Sequence, residues 1–286
     1  TTIITSNNTA VGTGKVTIKA TNAKEAVEEA REKVAKLIGA KPEEIIFTSG
    51  ATESTNFIIK GYLDYRKYYG DGRNHVITSL VEHKATLNTC KYLNGELYSN
   101  NDPTISLFGE KKRVNRGFEA SFVGVTPNGE ISVDEIEKAI KENTALVSML
   151  YVNNEIGTIS DVSKVSKICR NSNIALHSDL TQALGKFEID VKKLGIDYAS
   201  CSAHKIYGPK GIGAAYMKSD AYGIAPITAF MHGGEQEYGY RAGTHAVHNI
   251  VGFGKAAEIA LRDMKKNKER IQKLDELLLQ GIVNID

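Results

Sequence analysis

The sequence lacks an excess of charge of either sign. Its 36 lysines and arginines nearly balance its 34 aspartates and glutamates, which gives a formal net charge of +2. Acidic and basic residues are interspersed along the chain rather than gathered in blocks. Electrostatic binding to nucleic acid or to a membrane surface usually requires a concentrated basic patch. The composition therefore predicts neither a nucleic-acid partner nor a membrane partner.

Long apolar runs and a secretory leader are also missing from the sequence. No stretch approaches the roughly 20 apolar residues of a membrane-spanning helix, and no signal-peptide pattern is present. Only three cysteines occur, without the pattern of a disulfide framework, which is typical of a reducing compartment. Because Thr1 is not an initiator methionine, a targeting segment is compatible with the sequence. We expect the cytoplasm, or the mitochondrial matrix if such a segment has been removed.

The chain does contain a regular alternation of strand and helix patterns. With 286 residues, 41% of them hydrophobic, it is long enough for a large core. The alternation runs from Ile45 to Met217 without a linker, which predicts an α/β fold with a mainly parallel sheet flanked by helices. The predicted helices include Ala23–Ile38, Val133–Lys141, Asp161–Arg170 and Val251–Leu279.

Lys205 is the first candidate for chemistry. A predicted strand, 197–200, leads into Ser202, His204 and Lys205, and then into a loop containing Gly-Pro-Lys-Gly. We expect a lysine at the end of a buried strand to lose hydration, which prepares its amine to attack a carbonyl carbon. The alternative is an ordinary solvated lysine.

A second apolar strand, 173–178, ends in Asp179, and Gln182 follows three residues later. A pyridoxal phosphate enzyme needs a carboxylate to keep the ring nitrogen protonated and a donor near the ring hydroxyl. Asp179 and Gln182 have the required groups. The alternative is that both residues only begin the next turn.

Three further strand ends also carry polar groups. After the run 44–48, the residues Ser49 to Thr52 precede a helix, whose free N–H groups form a natural phosphate site, although an ordinary helix cap is the alternative. His83 follows the strand 75–80 and is free to stack on a ring or move protons. Asn154 follows the strand 145–150. Ligands of open α/β sheets bind outside the carboxyl ends of the strands, so we expect these groups to meet.

Together these segments resemble the NifS/IscS-type cysteine desulfurases. This group belongs to the class V aminotransferases, within the fold-type I pyridoxal phosphate enzymes. The similar segments follow family order across most of the chain, and the stretch from His204 to Gly211 is highly specific. They are Thr48–Asn56, Glu82–Cys90, Val152–Gly157, His177–Lys186, Ser202–Gly213 and His232–Thr244. The resemblance implies the large domain of that fold, conversion of L-cysteine to L-alanine, and transfer of sulfur to an acceptor protein. Iron–sulfur scaffold proteins and thiolation factors are the implied acceptors.

The resemblance also implies a role for each site residue. Lys205 and His83 are the implied catalytic residues: Lys205 holds the cofactor aldehyde, and His83 stacks on the ring and assists proton transfer. Asp179 pairs with the ring nitrogen, Gln182 with the ring oxygen, and Asn154 approaches the ring and the substrate carboxylate. The implied phosphate ligands are Ala51, Thr52, Ser202 and His204.

Two further implications concern a partner subunit and metals. Thr244 matches a residue that reaches the phosphate of the partner subunit, which would make a homodimer part of the active site. No metal site is expected, because His177 and Asp179 have no third ligand at a useful spacing.

The sequence departs from the desulfurase pattern in its cysteines. The nucleophilic cysteine of the family lies on a loop beyond the position of Asp286. Cys90, Cys169 and Cys201 are predicted to be packed in the core, as free cysteines usually are. We therefore expect the chain as given to lack the nucleophile.

Two other departures concern chain organisation. We expect a cofactor-binding domain over 1–262 and a helix over 263–286 that leads toward a small C-terminal domain, most of which is absent. An insertion near 94–116 reads as a surface loop, with a possible short strand at Thr104–Phe108.

Three alternatives to a complete desulfurase stay open at this point. One is a β-eliminating lyase or aminotransferase on the same scaffold. Another is a truncated, inactive protein that serves as an assembly partner. The third, which we favour, is a piece of an ordinary desulfurase.

Overall fold

The computed structural model describes residues 2–6, 16–20, 23–96 and 114–285. Two short strands, β1 (Thr2–Ser6) and β2 (Val16–Ala20), pair antiparallel as a separate sheet. The main sheet contains seven strands. They are β3 (Ile45–Thr48), β4 (His75–Ser79), β5 (Glu119–Val123), β6 (Thr144–Leu150), β7 (Ala175–Asp179), β8 (Tyr198–Ser202) and β9 (Gly213–Met217).

Helices connect most of these strands. They are α1 (Ala23–Ile38), α2 (Ala51–Tyr68), α3 (Lys84–Leu93), α4 (Val133–Ala139), α5 (Val162–Asn171), α6 (Val191–Leu194) and α7 (Val247–Val283). Short 3₁₀ turns lie at Pro42–Glu44, Ala203–Ile206 and Gln236–Gly239.

The main sheet has the spatial order β3-β9-β8-β7-β6-β4-β5. Strands β8, β7, β6, β4 and β5 are parallel to one another, whereas β9 is antiparallel to both β3 and β8. The predicted mainly parallel sheet is therefore confirmed. Because β9 runs the opposite way, its first residue lies at the same edge as the carboxyl ends of the other strands.

Helices cover both faces of the sheet, as its composition requires. Strands β4, β6, β7 and β8 are buried at every position, which is the pattern of strands enclosed on two sides. One core contains residues of α1, α5 and α7, including Val34, Val165 and Phe253. The other contains residues of α2 and α3, including Phe57 and Leu93. The enclosed sheet is a rigid support for groups at its edge.

Helix α7 is longer than the predicted helix Val251–Leu279. It begins about one turn earlier, at Val247, and ends about one turn later, at Val283. Its first half packs on the core through Ile250 and Phe253, whereas Leu274 and Leu278 further along are exposed. The predicted domain boundary after residue 262 falls inside this continuous helix, and it stays a prediction. Among the described residues, no helix combines the length and apolarity needed to cross a membrane.

The predicted insertion lies mostly outside the described residues, and so does its possible strand Thr104–Phe108. Its described ends are joined, since the Val114 amide donates a hydrogen bond to the Gly95 carbonyl at 2.9 Å. The chain therefore leaves and re-enters the fold at one place, as an inserted loop does.

A buried histidine ties four elements together below the edge of the sheet. The His177 ring lies 2.8 Å from Ser148 Oγ through Nδ1 and 3.2 Å from Ser200 Oγ through Nε2. Thr55 Oγ1 on α2 donates to Ser200 Oγ at 2.9 Å. Burial lowers the pKa of His177 to about 3. The ring is therefore neutral in the folded protein and links α2 to β6, β7 and β8.

This neutral ring makes a testable contribution to acid stability. An unfolded histidine takes up a proton near pH 6.5, whereas folded His177 stays neutral down to about pH 3. The contribution is complete above pH 6.5 and is lost as the pH falls toward 3. Between these values the free energy of unfolding of His177→Asn is expected to depend less steeply on pH than that of the parent. The difference in slope approaches 1.4 kcal/mol per pH unit, an order-of-magnitude figure.

Denaturant titrations at several pH values measure this slope. His248→Asn, at an exposed position on α7, is the matched control and is expected to keep the parent slope. Equal slopes for the parent and His177→Asn would contradict the assignment of a neutral buried ring.

Candidate active site

A cavity of about 540 Å³ opens at the edge of the sheet where the parallel strands end. This size is typical of a small-molecule site. Every predicted cofactor residue except Thr244 lines it: Ala51, Thr52, His83, Asn154, Asp179, Gln182, Ser202, His204 and Lys205. Lys210 and Gly211 also line it because they precede the antiparallel strand β9. The sequence pattern thus identified side chains that the fold brings together.

One end of the cavity is suited to an anion. Helix α2 begins there after Gly50, an N-cap residue with no side chain to satisfy the first-turn N–H groups. Ser202 Oγ lies nearby on the cavity wall, 2.8 Å from His204 Nδ1. Gly213 permits this arrangement, because a Cβ atom there would lie 2.6 Å from the Gly50 Cα. Uncapped N–H groups and the helix dipole favour a phosphate at this end.

Glu53 lines the same end and was missed by the sequence analysis. Its carboxylate accepts the Ser49 amide at 2.8 Å and the Arg241 Nε at 2.7 Å. Burial disfavours the charged form, but the hydrogen bonds from Arg241 and Ser49 outweigh it and lower the pKa of Glu53. One signal in the sequence could have identified Glu53: it is an acidic residue in the first turn of a helix that is expected to bind an anion. A carboxylate next to a bound anion needs a cation nearby to offset the repulsion between the two negative charges.

Lys205 lies in the 3₁₀ turn Ala203–Ile206 rather than in a strand. Strand β8 ends at Ser202, so the turn carries Lys205 to the mouth of the cavity, where its side chain is exposed. The expectation that Lys205 loses its hydration is therefore wrong for the single chain without a ligand. Desolvation at the cavity wall, with the charges of Lys205 and Lys210, lowers the pKa of His204.

Asp179 forms the floor of the cavity as the last residue of β7. It is only 7% exposed, and its Oδ1 accepts the Thr181 amide at 2.9 Å. Burial raises the pKa of Asp179, and the hydrogen bond from Thr181 and the charge of His83 oppose this shift only in part. No lysine or arginine in the described ranges forms an ion pair with it. A buried acid of this kind is suited to a cationic ligand atom.

Gln182 and His83 each have one polar atom committed to the protein. The Gln182 Oε1 accepts the Lys186 Nζ at 2.9 Å, which leaves the amide NH₂ as a donor. His83 caps α3, because its Nδ1 accepts the Ala85 amide at 3.1 Å. With Nδ1 accepting, the neutral ring carries its proton on Nε2. Both side chains therefore offer donors to the cavity that they line.

The turn after β6 places Asn154 at the cavity. Its neighbour Asn153 holds the turn by accepting the amides of Glu155 at 2.8 Å and Ile156 at 3.0 Å. Thr244 is different, since it is exposed and does not line the cavity. Its predicted contact is with the phosphate of a partner subunit, so a single chain does not test it.

All three cysteines of the chain are buried and free, which confirms the prediction that they belong to the core. Burial raises the pKa of Cys169 and of Cys201 to about 12, and it raises that of Cys90 further. These groups are therefore neutral thiols at pH 7, and none of them lines the cavity. In the described part of the chain, no three His, Cys, Asp or Glu side chains are grouped to hold a metal ion.

The cavity fits pyridoxal phosphate. It combines an anion site at the start of α2, a lysine at its mouth and a buried carboxylate on its floor. The Gln182 amide and the His83 ring provide the remaining donors. These are the groups that hold the phosphate, the aldehyde, the ring nitrogen and the ring oxygen of this cofactor.

Comparison with known proteins agrees with this fit. The aminotransferase class-V family model matches residues 4–98 and 108–286, and the internal gap in this match, 99–107, lies within the predicted insertion. The chain is 45% identical over 264 residues to cysteine desulfurase IscS of Buchnera aphidicola, covering 92% of this chain and 59% of that protein. Proteins of this family use pyridoxal phosphate.

Two solved structures extend the comparison. A NifS-like protein superposes with a TM-score of 0.77 at 38% identity, covering 93% of this chain and 67% of its own. SspA in complex with cysteine superposes with a TM-score of 0.71, also at 38% identity, covering 84% and 63%. The chain spans 59% of the length of the Buchnera desulfurase, about three fifths, and the same share of IscS from Shewanella piezotolerans. Since the family model nevertheless matches most of its residues, the chain belongs to the class V aminotransferase family.

Proposed function

We propose that this chain is the cofactor-binding part of a cysteine desulfurase. The reaction converts L-cysteine and an acceptor thiol to L-alanine and an acceptor persulfide, with the sulfur atom passing to the thiol. The observation that carries the proposal is the single cavity in which the predicted cofactor residues meet. Relatives named cysteine desulfurase, and a similar structure in complex with cysteine, support the choice of substrate.

When bound, pyridoxal phosphate withdraws electrons from the substrate Cα and so labilises its proton. The chain provides the groups that make this productive. The first turn of α2, with Ser202 and His204, fixes the phosphate, and the exposed amine of Lys205 is free to reach a carbonyl carbon. Asp179, which is buried at the cavity floor, is placed to stabilise positive charge there. His83 is placed to donate a proton from its Nε2, because its Nδ1 accepts the Ala85 amide.

The acceptor thiol is not expected to be one of the chain's own cysteines. Cys90, Cys169 and Cys201 are buried neutral thiols away from the cavity, whereas attack on sulfur needs an accessible thiolate. We propose that the thiol belongs to another segment of the natural protein, and that sulfur then passes to an iron–sulfur scaffold or a thiolation factor. A homodimer that uses Thr244, and a reducing compartment such as the cytoplasm or the mitochondrial matrix, belong to the same proposal.

The test separates proton removal from sulfur transfer. The purified chain, loaded with pyridoxal phosphate and given L-cysteine in deuterated water, is expected to exchange the Cα proton but to release no sulfide with a reductant. Asp179→Asn is expected to lose at least 100-fold in exchange rate, about 2.7 kcal/mol, because an amide does not hold a cationic ring nitrogen. NMR measures the exchange. Asp134→Asn, at an exposed position on α4, is the control and is expected to exchange at the parent rate.

Three outcomes would contradict this account. Exchange at the parent rate in Asp179→Asn would give Asp179 another role. Sulfide release that disappears in Cys90→Ser or Cys201→Ser would identify a resident nucleophile. Release of pyruvate and sulfide together would indicate a β-eliminating lyase instead.

A further inference from the structure

Glu82 is a buried acid that the proposed function leaves unused. It lies directly before His83 in the turn after β4 and is only 6% exposed. It does not line the cavity. An acid in this position needs an explanation, because burying a carboxylate without a cation is costly.

The Glu82 carboxyl joins two strand ends. Its Oε1 accepts the Ser79 hydroxyl at 2.7 Å and the Leu150 amide at 3.0 Å. The ladder between β4 and β6 ends at Thr78 and Ser148, so the Leu150 amide lies beyond the last partner on β4. Glu82 thus replaces a strand partner for the final residue of β6. This contact ties the turn that carries His83 to the strand that leads to Asn154.

A second hydrogen bond repeats this connection. The Asn153 Nδ2 donates to the Val81 carbonyl at 3.2 Å, again between the turn after β4 and the turn after β6. Residues on both sides of Glu82 therefore take part in holding the two turns together. His83 and Asn154, which line the cavity, follow these two ties directly in the sequence.

The surroundings of the other oxygen of Glu82 favour the neutral acid. Oε2 is buried and has no hydrogen-bond partner among the described residues. Asp179 approaches from β7 and Cys90 from α3, and neither provides positive charge. Burial, with the charge of Asp179, raises the pKa of Glu82 to about 8. At pH 7 the proton stays on the carboxyl group.

We propose that Glu82 is a positioning residue that, as a neutral acid, fixes His83 and the end of β6 without adding a second negative charge beside Asp179. A charged group at this position would compete with Asp179 for a cationic ligand atom. A neutral acceptor still holds the turn with His83 to the end of β6, but it adds no charge. The consequence for the reaction rests on the proposed function, but the position and the proton of Glu82 do not.

The proton is tested on the chain without cofactor. Infrared spectra are expected to show a carboxylic acid band at pH 7 that disappears as the pH rises through about 8. The band is expected to be absent in Glu82→Gln and present in Glu135→Gln. Glu135 is a matched control because its carboxylate also accepts a backbone amide, that of Gly124, but at an exposed site. No loss of the band in Glu82→Gln would overturn the assignment.

The positioning role is tested with two substitutions. Glu82→Gln keeps a neutral acceptor and is expected to leave the NMR signals of the His83 ring and the exchange rate at pH 7 within about 3-fold of the parent. Glu82→Leu removes the acceptor and is expected to shift those signals and to lower the exchange rate about 10-fold or more, since small misplacements of reacting groups are costly. Above pH 8 the parent is expected to lose exchange activity that Glu82→Gln retains.

The outcomes divide clearly. Equal damage from glutamine and leucine overturns the neutral-acid assignment, and unchanged His83 signals in Glu82→Leu overturn the positioning role. If Glu82→Leu does not fold, the glutamine variant and the infrared band still decide. A parent chain that exchanges no proton counts against the proposed function, whereas the infrared and His83 measurements still test Glu82.

Discussion

Lys205→Ala is expected to abolish covalent capture of pyridoxal phosphate completely while the protein stays folded. Lys205 lies at the mouth of the cavity with its amine exposed, so removing it deletes the nucleophile without opening a void in the core. Borohydride reduction of the loaded parent followed by peptide mapping is expected to label the peptide that contains Lys205. The variant is expected to carry no label, and its circular dichroism is expected to match the parent.

The control for this experiment is Lys210→Ala. Lys210 lines the same cavity and carries the same charge, so it tests whether any lysine at the site is sufficient. We expect the Lys210 variant to be labelled like the parent. Labelling of Lys205→Ala at Lys210 or Lys186 would show that the cavity holds its aldehyde elsewhere.

Glu237→Ala is expected to lower the free energy of unfolding by about 3–5 kcal/mol, since removing one partner of a buried ion pair leaves the other uncompensated. The Glu237 carboxylate accepts Arg31 Nη1 and Nη2, both at 2.8 Å, and Arg31 is only 2% exposed. It also accepts the Phe47 amide and contacts His245 Nε2, each at 2.7 Å. Burial opposes the charge, but these partners outweigh it and lower the pKa of Glu237 to about 2.

Denaturant unfolding measures this loss. Glu28→Ala is the matched control: Glu28 also pairs with Arg31, but its side chain is 45% exposed, so less than about 1 kcal/mol is expected. Replacing Arg31 and Glu237 together with methionine is expected to recover much of the stability, because no charge is then left unpaired. A loss below 1 kcal/mol in Glu237→Ala would show that the cluster is not a stabilising centre.

The sequence was sufficient to predict most side chains of the cavity because they lie at or just after the carboxyl ends of their strands. Polar residues such as Asp179 and His83 end apolar runs, and the rule that parallel strands share one carboxyl edge then brings them together. The exposure of Lys205 was not predictable in this way. It depends on β8 continuing to Ser202 and on the 3₁₀ turn Ala203–Ile206 that follows directly. The apolar pattern of the sequence does not define the end of a strand to within two residues.

Long-range partners were also beyond the sequence. Arg241 and Glu53 are separated by 188 positions and Arg31 and Glu237 by 206, so no local pattern joins them. The strand order also depends on contacts between segments that are far apart in the sequence. That β9 enters between β3 and β8, and thereby brings Lys210 to the cavity, is a property of the assembled sheet.

The place of β3 in this sheet has a consequence for biosynthesis. Strand β3 is an edge strand whose sheet neighbour is β9, and β9 ends at Met217. A ribosome that makes about 5–20 residues per second therefore leaves β3 unpaired for roughly 10–30 seconds. During this time an apolar strand, Ile45–Thr48, is open to pairing with other chains. The strand that leads into the phosphate site is thus made well before the strand that pairs with it, and its edge stays exposed in the interval.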